Sequence, residues 1–234
     1  MSHVSRHTVV ITGAFGALGA AVARKFARAG SRLGLLDRAG VADWATREFA
    51  APHVLVGGVD LADAAAAEAA LQKIVTSAGG LDVLVNVAGG FRRETLEGGD
   101  MATWELMFTM NLKTAVAASR AALPHLVARG GGRIINIGAA AAGRAAAGMG
   151  AYSASKAGVE RLTEALAEEV KDRNITVNTI LPGTLDTAAN RAALPDADVS
   201  RWVHPDAVAD VAAFLASPEA RAVTGAAIRV SGRG

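Results

Sequence analysis

Tyr152-Ser-Ala-Ser-Lys156 sets a phenol and an amine four residues apart in a stretch of helical character. That spacing puts both side chains on one helix face. A phenol of ordinary pKa, near ~10, exchanges protons poorly at neutral pH. An ammonium one turn away favours the phenolate, so Lys156 is expected to lower the Tyr152 pKa toward the range that acid–base catalysis uses. Pairs at this spacing also occur on solvated helix faces, so the chemistry needs a second element to support it. Ser153-x-x-Lys156 also spells the serine–lysine pair of acyl-transfer enzymes, but the Ser-Asp-Asn and Lys-Thr-Gly runs that accompany it there are absent.

The second element is Thr12-Gly13-Ala14-Phe15-Gly16-Ala17-Leu18-Gly19, which follows an apolar run and opens an amphipathic one. Glycines in a strand–turn–helix let backbone approach a pyrophosphate, while the helix N-terminus offers N–H groups and positive dipole. No Gly-Lys-Ser/Thr follows, which disfavours a nucleoside triphosphate loop. Asp37 closes the next apolar run, about twenty residues on, where a carboxylate can accept from a ribose 2′-hydroxyl and would repel a 2′-phosphate. Neither Ala14 nor Phe15 supplies a cation, so NAD(H) is favoured; Arg38 leaves NADP(H) open. The other role open to Asp37 is capping a helix over 39–49.

Short β-branched runs at 8–12, 32–37, 54–59, 81–87, 133–137, 176–181 and 227–230 alternate with alanine-rich stretches at 18–29, 43–49, 62–78, 101–128, 152–171 and 205–215. This alternation predicts one doubly wound α/β domain over 1–234: a Rossmann-type, parallel, seven-stranded sheet with helices on both faces. Ligands then bind outside the carboxyl ends of the strands. With 24 basic and 22 acidic side chains the net charge is +2, which gives no footprint for nucleic acid. There is no cysteine, and the five histidines are scattered without metal-ligand spacing, so no metal is expected. No apolar run approaches the ~18 residues of a membrane span. The polar start Met1–Arg6 lacks the apolar core of a secretion signal, so a cytoplasmic protein with a small-molecule substrate is expected. The stretches 101–128 and 152–171 are apolar on more than one face, which suits packing between protomers.

In this order the motifs resemble the short-chain dehydrogenase/reductase family along essentially the whole chain. The family's TGxxxGxG turn is similar to residues 12–19, with Ala17 standing where the middle glycine is expected. Asp60-Leu61 resembles the pair at the adenine ring, and Asn86-Val-Ala88-Gly89 resembles NNAG. Pro182-Gly183-Thr184-x-x-Thr187 resembles the turn facing the nicotinamide, and Asn111 matches the helix residue that supports a proton-relay water. The resemblance implies Tyr152, Lys156 and Asn111 as catalytic residues. It implies Gly13, Phe15, Gly16, Ala17, Leu18, Gly19, Asp37, Asp60, Leu61, Asn86, Ala88, Gly89, Tyr152, Lys156, Pro182, Gly183, Thr184 and Thr187 as cofactor-binding. It further implies a homodimer or homotetramer.

One departure bears on chemistry. The family's serine, thirteen residues before the tyrosine, is here Ala139. Loss of one donor to a developing alkoxide typically costs ~3 kcal/mol. Gly16-Ala-Leu-Gly19, the run 138–142, and the stretch 181–191 followed by Leu194-Pro-Asp and Trp202 resemble the serine-free dihydropteridine reductase branch. That implies NADH-dependent reduction of a quinonoid dihydropterin. Ala139, Met149, Phe91 and Trp202 are expected on the substrate side, under a lid at 184–204. The alternatives are a general carbonyl or 3-oxoacyl reductase, and a dinucleotide-binding sensor without catalysis.

Overall fold

A computed structural model describes residues 7–232; the polar start Met1–Arg6 lies outside the described residues. The chain alternates strand and helix: β1 Thr8–Thr12, α1 Ala17–Arg28, β2 Arg32–Leu36, α2 Asp43–Glu48, β3 Val54–Val56, α3 Ala64–Ala78 and β4 Val83–Asn86. It continues through α4 Met101–Met107, α5 Thr114–Ala128, β5 Gly132–Ile137, α6 Gly150–Val170, β6 Ile175–Pro182, α7 Ala188–Ala193, α8 Pro205–Ala216 and β7 Ala227–Val230. All seven strands are parallel in the order β3-β2-β1-β4-β5-β6-β7.

Successive strand side chains point to opposite faces, and both faces are covered. Val9, Ile11, Val83 and Val85 pack with Val22 and Phe26 of α1 and Val208 and Leu215 of α8. Their neighbours Val10 and Leu84 pack on the other face with Leu71 and Ile74 of α3, Leu126 of α5 and Leu166 of α6. Apolar residues at consecutive positions are therefore required, and each large side chain so buried contributes about 1.5–3 kcal/mol. Local signals agree: the Asp63 carboxylate caps α3, and Gly79 ends it at φ 79°.

One expectation is corrected. The single helix expected over 101–128 is interrupted by a π-helical turn, Phe108–Lys113, between α4 and α5. The 184–204 segment contains a helix, α7, and is closed at its base by a bridge between Leu185 and Val203. Strand order reverses between β1 and β4, and the crevice this opens at their carboxyl ends is where the doubly wound fold binds ligands.

Candidate active site

Four adjacent strands carry a polar residue in register toward their carboxyl ends: Thr12, Asn86, Asn136 and Thr179. Buried polar groups persist where they are paired, and these mostly are. Asn86 Nδ2 donates to Asn136 Oδ1 (2.8 Å) and Ser119 Oγ (3.0 Å), and Asn136 Nδ2 donates to Thr163 Oγ1 of α6 (2.9 Å). Thr12 Oγ1 accepts from the N–H groups of Val87 and Ala88, both at 3.1 Å, and so joins the strand ends that flank the crevice. Thr12 was expected only as the first residue of the glycine turn, and Asn136 and Thr163 had no assigned role. Their signal was a polar residue inside a buried apolar strand or helix face.

The glycine turn is built for close approach. Gly13 has φ 61°, and a Cβ there would lie 2.9 Å from the backbone of Ala88. A Cβ on Gly19 would meet Gly13 O at 2.1 Å, so α1 can start against the turn only with glycine at this position. Gly16 and Ala17 are exposed, and no side chain caps α1 at Gly16. The first N–H groups of the helix, Ala17, Leu18 and Gly19, thus face the crevice mouth without an intrahelical acceptor. Uncapped amides, a positive dipole end and open backbone suit a diphosphate. Asp37, at the end of β2, accepts from Phe15 N–H (2.8 Å) and Ala39 N–H (2.9 Å). It does not cap α2, whose N-cap is Ala42. The carboxylate instead ties the glycine turn to the β2–α2 loop.

Tyr152 and Lys156 lie in the first two turns of α6. Lys156 is 5% exposed, and its Nζ donates to the carbonyl of Ile137, the last residue of β5, at 2.7 Å. Burial lowers its pKa to about 8, so it stays mostly protonated at neutral pH. Burial also pushes the Tyr152 phenol up to about 12. This corrects the expectation that Lys156 lowers the Tyr152 pKa: in the protein alone, desolvation of the phenolate outweighs the ammonium one turn away. Phe91 stands edge-on to the Tyr152 ring, centroids 4.9 Å apart at 88°, and is 56% exposed.

Asn111 falls inside the π-helical turn and is 1% exposed. Its Oδ1 accepts from Gly90 N–H (2.8 Å), and its Nδ2 donates to Ser155 Oγ (2.9 Å). Ser155 in turn donates to the carbonyl of Tyr152 at 2.7 Å. A Cβ on Gly89 would lie 2.6 Å from Asn111 Oδ1 and 3.3 Å from Lys156 Nζ, so both groups crowd the space beside this one glycine. Ser155, unassigned from sequence, is the link between the π turn and α6.

Other expected residues are placed less directly. Asp60 is exposed and holds Ala62 N–H at 3.0 Å, whereas the Leu61 side chain is buried in the core. The Asn86 side chain belongs to the inter-strand network, which leaves its backbone to the crevice. Pro182 ends β6, and Gly183 N–H pairs with Val230 O at 2.9 Å. Thr184 is exposed and its carbonyl accepts from Val203 N–H (2.8 Å). Thr187 Oγ1 caps α7 through Asn190 N–H (3.2 Å). Ala139 is buried just beyond β5 and carries no hydroxyl; Met149 is the N-cap of α6; Trp202 is half-buried at the end of the 184–204 segment. Among the described residues there is no metal-ligating cluster, and no helix is long and apolar enough to cross a membrane.

The profile of the short chain dehydrogenase family matches residues 7–198. The chain belongs to this family. An acetoacetyl-CoA reductase of Allochromatium vinosum is 31% identical, the match covering 95% of this chain and 96% of that one. A 3-oxoacyl-[acyl-carrier-protein] reductase of Vibrio cholerae is 36% identical over 70% of this chain and 71% of its own. The crystal structure of a short-chain dehydrogenase/reductase from Burkholderia xenovorans superposes with a TM-score of 0.90 at 31% identity, covering 99% of this chain and 97% of that chain. The protein is thus an NAD(P)-dependent short-chain dehydrogenase/reductase.

Proposed function

We propose that the protein reduces a small, electron-poor organic acceptor with NADH, and that Tyr152 delivers the proton. The observation that carries this reading is the buried Lys156 ammonium bonded to Ile137 O at 2.7 Å, one helical turn from the half-buried Tyr152 phenol. A bound nicotinamide dinucleotide supplies the hydride at this strand edge. Residues 13–19, Asp37 and Asp60, the backbone of 86–89, and 182–187 are the groups to hold it, with Lys156 toward the nicotinamide ribose. The carboxylate of Asp37 beside the glycine turn supports NAD(H) over NADP(H), because it repels a 2′-phosphate.

Burial pushes the Tyr152 phenol up to about 12, so at neutral pH it holds its proton, the form from which a reductive step starts. Asn111 would order water for resupply of that proton. Ala139 cannot polarise a carbonyl, which supports an acceptor already short of electrons, a quinonoid dihydropterin being the first to test. Phe91, Met149, Trp202 and the 184–204 segment form its walls. Carbonyl or 3-oxoacyl thioester reduction is the second reading, favoured by the activities for which the two bacterial reductases are named. Phe108 and Val116, exposed on the π turn and α5, support packing of a second copy there, as a homodimer or homotetramer.

NADH and NADPH oxidation against quinonoid dihydropterin, a quinone, a ketone and a 3-oxoacyl thioester tests this, with wild type and Ala139→Ser. The expected result is quinonoid turnover that the variant barely changes, and ketone turnover that it raises about a hundredfold. Wild-type preference for the thioester selects the second reading. Oxidation by none of the four overturns both.

A further inference from the structure

A cavity of about 250 Å³ lies at the opposite edge of the sheet from Tyr152, where β1, β4, β5 and β6 begin. It is lined by His7, Asp82, Arg129, Arg133 and Asn174, and closed on one side by glycines 130–132. Ligand pockets for larger molecules run from about 300 Å³ upward, so this space suits a small ion.

Its charges do not cancel. Asp82 is matched internally: Oδ1 accepts from Arg129 Nε and Oδ2 from Thr8 N–H, each at 2.8 Å. Arg133 makes no such pair. Its Nη1 donates only to the carbonyls of Gly132 (2.8 Å) and Asn174 (3.4 Å), and its Nε is buried with no acceptor among the described residues. His7 Nδ1 is likewise buried without a partner. A guanidinium keeps its charge in any surroundings, so an unmatched half-buried one calls for an anion. The glycine amides are not the donors, because Gly130, Gly131 and Gly132 N–H already bond to the carbonyls of Val127, Leu126 and Asn174.

We propose that this cavity binds a small oxyanion, a carboxylate or a phosphate, through Arg133 and His7. The inference stands apart from the dinucleotide crevice and from the choice of substrate. Thermal unfolding of the full chain at constant ionic strength, titrated separately with phosphate and with malonate, reads it. Phosphorus NMR of the phosphate samples gives a second measure of binding.

The expected result is a saturable rise in Tm for at least one anion, with the effective one naming the source. Arg133→Met should weaken that binding by about tenfold to a hundredfold, the worth of a charge-assisted hydrogen bond. His7→Phe should weaken it by less, and carries the comparison should Arg133→Met fail to fold. Phosphate captured at residues 13–19 would bind both variants as wild type, and a general salt effect would raise all three without saturation. Either pattern, or no response to both anions, overturns the proposal.

Discussion

Lys156 is an ammonium held in a desolvated position, and stability should record that. Its pKa falls from 10.5 to about 8 on folding, a difference of about 3 kcal/mol at neutral pH. In the unfolded chain the amine keeps its proton until about pH 10.5; in the folded protein it releases it near 8. Between those values the unfolded state binds more protons, so this group makes stability rise with pH. The replacement Lys156→Met has similar length and no charge, so it removes the dependence and leaves other titrations in place. Integrated from pH 7 to 9.5, the wild type should gain about 2 kcal/mol relative to the variant. Tyr152 remains largely protonated over this window, since its pKa is pushed up to about 12. Urea unfolding of both proteins, followed by far-ultraviolet circular dichroism at half-unit pH steps, measures the difference. A wild-type stability that does not rise relative to the variant across the window, or that falls relative to it as pH rises, refutes the claim that folding strips water from this ammonium.

Tyr152→Phe should cut turnover about a hundredfold to ten-thousandfold while the dinucleotide dissociation constant stays within a few fold, as read by single-turnover kinetics and fluorescence titration. Asp37→Ala should raise the NADPH-to-NADH ratio of kcat/KM at least about tenfold, the size of one lost charge repulsion. Because Asp37 also holds Phe15 N–H at 2.8 Å, KM for both cofactors should rise with it. An unchanged ratio would mean that the carboxylate serves the turn alone. Gly19→Ala drives a methyl to 2.1 Å from Gly13 O, so a loss of about 1–3 kcal/mol in stability is expected, together with weakened dinucleotide binding; wild-type values for both would show that α1 can shift away from the turn.

Most of the architecture was legible in the residues because its cause is local. An apolar strand of about five residues, a glycine, then an amphipathic helix repeats along the chain, and each repeat is a βαβ step. Strands at 8–12 and 227–230 match their expected limits, and the others shift by one to three residues, where pairing rather than composition ends the ladder. The helix over 101–128 was misread because alanine-rich composition does not distinguish an α turn from a π turn. Insertion of Asn111 against Gly90 and Ser155 accompanies that change, and both partners are distant in sequence. Leu61 sits in a recognisable motif, yet its side chain lies in the core because the residues around it pack against α3.

What the sequence determined alone is the repeat of strands and helices, the glycines that a diphosphate needs, and the helical spacing of Tyr152 and Lys156. Those follow from backbone stereochemistry and from side-chain periodicity, which act over a few residues. The tertiary structure decided the protonation of that pair. The same burial that positions Lys156 on Ile137 O removes the water that would solvate a phenolate, so the phenol rises while the ammonium falls. Pairing of Thr12, Asn86, Asn136 and Thr179 across four parallel strands was equally beyond the sequence. Register between strands up to about 75 residues apart is set by the packed sheet.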